Sequence, residues 1–434
     1  MPESRQGRSQ GVVTSLLHVL VDAAVASIVF FHPGNAVALA AATPKPAPTF
    51  PPIRHVFIIM LENEDNGAAF GPNSKAPYLA KTLVSQGAYL KNYYGIGHNS
   101  LDNYIALISG QAPNRATQLD CHTYTEFQSR GMTTDGQAIG EGCVYPAQVQ
   151  DLGTELNRQG FSWREYAEDM GNDPHRDGVA CGHPALGSPD PTIKAEPAPS
   201  GGVADQYTTR HNPFAYFHST IDSPLCTDYI VNLRQLSRDF ESDYSAPNLA
   251  FITPNLCNDG HDSPCVTGDP GGLVSVNAWL SQIVPQIMAS PAYKHDGLLL
   301  ILFDESDVDV RADAATGTLA MTGDASACCE EQSGPNVAQA GQIGPGGGNT
   351  GAVALSPFIK PGTVSQVPYN HYSTLRTIEK IFGLPYMGYS NVSGLATFGP
   401  DIFTRSPQSQ LITGDAYGDT VNKPKATRSN LPER

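Results

Sequence analysis

The segment Gly97-His98-Asn99-Ser100-Leu101-Asp102-Asn103-Tyr104 runs straight into an apolar helical pattern that stops at Ser109-Gly110. Ser100 is therefore expected at a helix N-terminus, where unpaired backbone N–H groups and the helix dipole favour an anion such as phosphate or an ionised alkoxide. Asn103 lies within the first turn and can offer an amide hydrogen to such an anion, and His98 is near enough in sequence to assist proton transfer. Serine is also a common N-cap, and a histidine beside it is as readily a structural hydrogen-bonding residue, so this segment alone decides nothing.

A second kind of chemistry is written in acids and histidines that follow buried-strand patterns. Glu62 and Asn63 come directly after the run His55 to Met60; Asp304-Glu305-Ser306-Asp307 follows Gly297 to Phe303; Asn258-Asp259-Gly260-His261-Asp262 follows Asn248 to Pro254. Carboxylate oxygens suit hard divalent cations, and imidazole nitrogens shift a site towards zinc, iron or manganese. One Asp-Gly cluster is ordinary turn chemistry, but three such clusters, each at a strand end, point to one pocket. His371, in Pro368-Tyr369-Asn370-His371-Tyr372-Ser373, opens the last long helical pattern and is a candidate final ligand. By itself it reads more readily as an N-terminal helix residue without a function.

Those clusters need a scaffold, and the chain supplies a repeating one. Strand patterns at His55 to Met60, Asn248 to Pro254, Gly297 to Phe303 and Gly351 to Phe358 alternate with helical patterns. The helices are expected at Ala76 to Gln86, Leu101 to Ser109, Asp151 to Arg158, Leu225 to Phe240, Leu273 to Met288 and Tyr372 to Phe382. This alternation predicts an α/β fold with a mainly parallel sheet sandwiched by helices, and such sheets place ligands beyond the carboxyl ends of their strands. Two stretches read as loop insertions near the pocket: 185–210, rich in Pro and Gly, and 307–348, which ends in a glycine run. The catalytic domain is expected over 53–405, with a tail at 406–434.

Bulk properties narrow the partners. A chain of 434 residues at 40% hydrophobic can bury a sizeable core as one domain. Its formal net charge of -16 leaves no basic stripe for a phosphate backbone, which argues against nucleic acid. Arg5 and Arg8, the apolar run from Val12 to Phe31 and the small residues Ala36 to Ala42 read as a secretory signal peptide over 1–42. His18 and Asp22 interrupt the run, and an uncleaved anchor is the competing reading. A proline-rich linker follows at 43–52. The eight cysteines, Cys121, Cys143, Cys181, Cys226, Cys257, Cys265, Cys328 and Cys329, are even in number and lack a CxxC spacing, which favours disulfides in an oxidising compartment. Proximity suggests Cys121 with Cys143 and Cys257 with Cys265, and leaves Cys328 and Cys329 unassigned. The expected location is extracellular or in the cell envelope.

The blocks Met60-Leu-Glu-Asn63, His98-Asn-Ser-Leu-Asp-Asn-Tyr-Ile-Ala-Leu107, Asn258-Asp-Gly-His-Asp262, Phe303-Asp-Glu-Ser-Asp307 and Tyr369-Asn-His-Tyr-Ser373 stand in this order along the chain. Leu375-Arg-Thr-Ile-Glu379 and Phe382-Gly-Leu-Pro385 come next. Together they resemble the bacterial phosphoesterase family, which includes secreted acid phosphatases and phosphocholine-type phospholipases C, over about residues 53–390. The resemblance implies an alkaline-phosphatase-like fold, divalent metal of unspecified identity, and a phosphorylated Ser100 as covalent intermediate. It casts Asn103 as the phosphate-binding amide, Glu62, Asn63, Asp304 and Glu305 as ligands of a first metal, and Asp259, His261, Asp262 and His371 as a second cluster.

Two positions depart from the family pattern: Glu64 replaces an arginine, and Asp102 a proline. Both add negative charge beside a dianionic ester, which favours an acidic optimum or a monoanionic diester. The leading expectation is a phosphomonoesterase acting on small-molecule or lipid phosphate esters, with transient membrane contact in the lipid case. A phospholipase C or other phosphodiesterase is the alternative, and a non-catalytic secreted metal-binding protein the third reading. A sulfatase lacks support, because no Cys/Ser-x-Pro-x-Arg motif surrounds Ser100.

Overall fold

Every residue of His55–Leu61 is buried, and its side chains divide between two apolar layers: Val56, Ile58 and Met60 face one, Phe57, Ile59 and Leu61 the other. A strand with both faces covered is the mark of a sheet sandwiched by helices. The computed structural model describes residues 50–200, 202–312 and 319–405; the expected leader, most of the linker and the 406–434 tail lie outside the described residues.

The sheet comprises β1 (His55–Leu61), β2 (Ala88–Leu90), β3 (Trp163–Ala167), β4 (Ile230–Asn232), β5 (Leu249–Thr253), β6 (Gly297–Phe303), β7 (Ala352–Leu355) and β8 (Thr363–Ser365). Their spatial order is β8-β2-β7-β6-β1-β5-β3-β4. All neighbours pair in parallel except β7, which runs against both β2 and β6. The centre is in tight register, with Ile58 opposite Phe251 on one side and Leu300 on the other. Helices α1 (Ser100–Ser109) and α3 (His371–Phe382) pack on the Val56 face, and α2 (Gly272–Ala289) on the Phe57 face. The α/β architecture with a mostly parallel sheet is the expected one.

Local structure departs from the sequence reading in instructive places. The expected helix 225–240 breaks into Cys226–Tyr229, strand β4, a 3-10 turn at Leu233–Gln235 and Leu236–Asp239. Ile230 and Val231 pair with Glu165 and Tyr166 at the sheet edge, so β-branched residues that fit a helical apolar stripe were recruited as strand. The expected helix 76–86 is a wide π-helical turn over Tyr78–Leu83 followed by Val84–Gln86. The expected strand 351–358 shortens to β7. Strands β2, β3 and β8 carry no clear strand pattern in the sequence.

The cysteines pair as Cys121–Cys143, Cys181–Cys226, Cys257–Cys265 and Cys328–Cys329. The first and third are the pairs suggested by proximity. Among the described residues no helix is long and apolar enough to cross a membrane.

Candidate active site

Strands β1, β5 and β6 lie side by side, so the residues that follow them emerge at one rim. Their loops are stitched together there: Glu62 N donates to Asp259 O at 2.9 Å, Asp304 N to Leu61 O at 2.9 Å, and Glu64 N to Glu305 O at 3.2 Å. Helix α1 points its N-terminus at the same rim. All ten of its residues are buried, and Asn99, at φ 85°, turns the chain into it. Asp120 Oδ1 takes the Leu101 N–H at 3.0 Å, and both Glu305 oxygens take the Asn99 N–H, at 3.0 and 3.1 Å.

Ser100 is thereby held against Glu62: its Oγ donates to Glu62 Oε2 at 2.6 Å. Tyr104, one turn along α1, donates to Glu62 Oε1 at 2.6 Å. The third neighbour is His211, which sequence reading overlooked. Its Nε2 lies 3.3 Å from Glu62 Oε2 and its Nδ1 3.2 Å from Asp259 Oδ2, at angles that make neither a good hydrogen bond. Its ring stacks on Tyr104 with centroids 5.2 Å apart and planes within 3°. Burial alone would raise the Glu62 pKa, but His211 and the Ser100 hydrogen bond hold it at about 2. Burial opposes the charged His211, yet Glu62 and Asp259 raise its pKa to about 9. The pair is therefore an ion pair through the neutral range.

The remaining expected residues take up different places around this centre. Asn63, at φ 55°, donates its N–H to Asp304 Oδ1 at 3.0 Å, while Asp304 Oδ2 is buried without a partner. These join Glu62, Ser100 and Asp259 at the centre. Glu305 and His98 form a buried pair through Oε2 and Nδ1, and His98 Nε2 donates to Asp324 O at 3.1 Å. Neither His98 nitrogen bonds Ser100; the ring anchors Glu305 to the 307–348 insertion. Asn103 Oδ1 accepts from Ile96 N and Gly97 N at 2.7 and 3.0 Å, and its Nδ2 donates to Gly97 O and Asn99 O. Its amide shapes the turn before Ser100 rather than facing outward. His371 Nε2 donates to Asp304 O at 2.6 Å and Nδ1 accepts from Tyr93 OH at 3.0 Å, so both ring nitrogens are engaged; burial drives its pKa down to about 4 and keeps it neutral. His261 and Asp262 stand at the rim, joined at 2.8 Å, with His261 Nε2 3.3 Å from Arg210 Nη2.

Burial and the Glu62 charge push both Asp304 and Glu305 well above the usual carboxylate range, with Glu305 adding to the push on Asp304 and Asp120 to that on Glu305. A divalent cation relieves such crowding. The oxygen-rich set and the orphaned Asp304 Oδ2 fit a hard cation held by Glu62, Asn63 and Asp304. Among the described residues no three His, Cys, Asp or Glu side chains stand at ligating spacing. Of the two departures noted above, Glu64 is raised to about 8 by burial, Asp307 and Asp65, and Asp102 is pushed well above the usual carboxylate range by burial, Glu305 and Asp120.

His211 and its neighbour Arg210 sit where the 185–210 insertion ends, with no strand pattern before them. The available signal was the polar quartet Thr209-Arg210-His211-Asn212 locked to the apolar run Pro213-Phe214-Ala215-Tyr216-Phe217, all buried. Arg210 reaches Ile193 O at 2.9 Å and Thr208 Oγ1 at 2.8 Å, and lies 3.8 Å from Asp120. Two clefts flank the centre. One of about 440 Å3 is lined by Asn99, Arg115, Asp120 and His122; the other, about 530 Å3, by Asn63, Glu64, Lys75 and His261.

A three-layer α/β sandwich with a serine at a buried helix N-terminus, facing carboxylates at the strand ends, defines a candidate esterase centre. The chain belongs to the Phosphoesterase family, whose profile matches residues 72–385. The phosphate-repressible acid phosphatase of Penicillium chrysogenum is 25% identical over 330 residues, 76% of this chain and 59% of that protein. The phosphatidylinositol-3-phosphatase of Mycobacterium tuberculosis is 25% identical over 344 residues, 79% of this chain and 82% of that protein. Against the fungal enzyme, this chain thus spans about three fifths of its relative's length. A solved protein of the alkaline phosphatase superfamily from Vibrio parahaemolyticus overlaps with a TM-score of 0.43 at 11% identity, covering 78% of this chain and 68% of that one.

Proposed function

We propose that this protein is a secreted phosphoric ester hydrolase of acid-phosphatase type, which cleaves phosphomonoesters through a phosphorylated Ser100. The observation that carries the proposal is the 2.6 Å hydrogen bond from Ser100 Oγ to Glu62 at the N-terminus of α1. That contact fixes the rotamer and directs the hydroxyl proton, while the helix end favours the incoming phosphoryl group. With a pKa of about 2, Glu62 orients the serine but is a poor resting place for its proton. A divalent cation on Glu62, Asn63 and Asp304 would supply the missing activation, lowering the serine pKa and neutralising phosphoryl charge.

The chain's own residues do the rest. His211 is protonated at neutral pH and presents positive charge beside Glu62, where a phosphoryl oxygen would come to lie. Tyr104 holds the second Glu62 oxygen, and Asn99 and Asn103 fix the turn that presents Ser100. Forming and then hydrolysing a phosphoserine divides one difficult displacement into two. The mostly buried setting of Ser100 keeps bulk water out of the first step.

A second reading, phosphodiester cleavage, is favoured by the two clefts, because one on the Asn99 side and one on the Asn63 side give room for both arms of a diester. Hydrolysis of p-nitrophenyl phosphate and of bis-p-nitrophenyl phosphate, from acid to mildly alkaline pH, with and without chelator, separates them. Monoester turnover lost in Ser100→Ala supports the phosphatase. Preference for the diester promotes the second reading, and turnover that survives in Ser100→Ala removes both.

A further inference from the structure

Arg210 is only 4% exposed, yet its guanidinium is left half-used. Nη1 holds the 185–210 insertion, donating to Ile193 O at 2.9 Å and to Thr208 Oγ1 at 2.8 Å. Nη2 stands 3.3 Å from His261 Nε2, with Nδ1 of that ring turned to Asp262 Oδ1 at 2.8 Å. Nε is buried and has no hydrogen-bond partner among the described residues. Its ion-pair partner, Asp120, is 3.8 Å away through Oδ2, beyond the ~2.8 Å of a charge-assisted hydrogen bond. Asp120 is not free to close that gap, because its Oδ1 accepts the Leu101 N–H at 3.0 Å and so caps α1.

An arginine carries five N–H donors, and the contacts to Ile193, Thr208 and His261 occupy three. Nε–H and one Nη2 hydrogen remain, and Nε and Nη2 share one edge of the planar group, the fork that grips two oxygens of a phosphate. That edge stands beside Ser100. Asp120 is bonded to the residue after the serine, and His211, next in the chain after Arg210, lies 3.3 Å from the Glu62 oxygen that accepts the serine hydrogen bond. Asp120 also lines the cleft of about 440 Å3, so a ligand entering there meets the Arg210 side of the centre.

We propose that Arg210 grips the substrate, its Nε and Nη2 holding two terminal oxygens of the ester phosphate, and that this grip selects monoesters over diesters. The inference rests on the phosphoric ester hydrolase reading. A monoester dianion offers three terminal oxygens, two for Arg210 and a third for His211. A diester carries one charge and gives one of those positions to an ester arm, so the same arginine is worth less to it. The insertion fixes the arginine in advance. Asp190 Oδ1 accepts from Thr192 N and Thr192 Oγ1, each at 2.7 Å, and Thr192 Oγ1 accepts from Thr209 N at 2.8 Å. The segment before Arg210 is thus tied to the strand of chain that receives Nη1, which lowers the ordering cost of binding.

The test compares wild type, Arg210→Lys and Arg210→Gln as full chains, with folding checked by circular dichroism. Each is titrated calorimetrically with inorganic phosphate and assayed on p-nitrophenyl phosphate and bis-p-nitrophenyl phosphate. Arg210→Gln should weaken inorganic phosphate by about tenfold or more and lower kcat/KM on the monoester by about 10²-fold, with a loss on the diester about tenfold smaller. Arg210→Lys, which keeps the charge but not the fork, should fall between. Equal losses on both esters, or unchanged phosphate affinity in folded Arg210→Gln, would reduce Arg210 to a prop for the insertion and overturn the proposal. A wild type that binds inorganic phosphate but turns over neither ester sinks the hydrolase reading instead, and the phosphate titration alone then decides the grip. Should both variants fail to fold, a crystal structure of wild type with inorganic phosphate decides: an oxygen within hydrogen-bonding reach of Nε supports the proposal, and a phosphate held elsewhere in the centre refutes it.

Discussion

Ser100 and Glu62 form the contact on which hydrolysis turns, and each has only short-range help. Ser100→Ala should lower kcat on a phosphomonoester by roughly four orders of magnitude, since neighbouring groups cannot replace a lost nucleophile. Acid quenching of wild type during turnover should trap phosphate on Ser100; an unlabelled protein at substrate saturation would count against the covalent route unless dephosphorylation is faster than the quench. His211 makes the sharper test because no strand or helix pattern precedes it in the sequence. His211→Asn removes the positive charge beside Glu62 and should cost about 10²-fold in kcat with a smaller change in KM. A variant that loses stability but keeps kcat would reduce His211 to a buried counter-ion. Glu62, Ser100, Asp259 and Asp304 were legible because each follows a strong local pattern, a strand end or a helix start. His211 was not, because it reaches the centre from an irregular segment and only tertiary packing brings it there.

Helix α3 shows how an element carries its own chemistry. Asn370 caps it by accepting from Ser373 N at 3.0 Å, and Glu379 near its end receives Met387 N at 2.8 Å and Ser390 Oγ at 2.7 Å. Burial lifts the Glu379 pKa to about 7 against those hydrogen bonds. The folded state therefore binds this proton more tightly than the unfolded chain. Its contribution is full below the unfolded carboxyl value and is lost as pH rises through about 7, amounting to roughly 3 kcal/mol at the upper end of the window. Melting temperature should fall more between mildly acidic and neutral pH for wild type than for Glu379→Gln; parallel profiles would show that Glu379 is not the group responsible. Elements with strong periodicity, such as β1, β6 and α2, were readable from sequence. The 225–240 segment was not, since Ile230 and Val231 fit either a helical stripe or an edge strand, and the choice is made by Glu165 and Tyr166 on β3.

At the scale of the whole molecule, disulfides pin loops to the sandwich. Cys181–Cys226 closes 45 residues and Cys257–Cys265 only 8. Loop-closure entropy then makes the first worth about 1.5 kcal/mol more than the second. Paired serine substitutions at Cys181 and Cys226 should lower the denaturant midpoint further than those at Cys257 and Cys265, and the reverse order would locate the stabilisation in native contacts instead. The broad architecture was legible because α/β alternation is a long-range pattern repeated many times. The direction of β7 was not, because strand orientation leaves no mark in a short apolar run. That reversal has a consequence for how the protein can diversify. Since β7 alone runs backwards beside β6, the chain leaves the sheet after Phe303 and re-enters at Ala352 from the same rim. Beyond the Asp304–Glu305 pair, Ser306 N donates to Gly347 O at 2.8 Å, so the stretch between those two residues is a cassette with adjacent ends, and recombination could exchange it for a longer or shorter one, altering what the centre admits while the sheet beneath keeps its pairing.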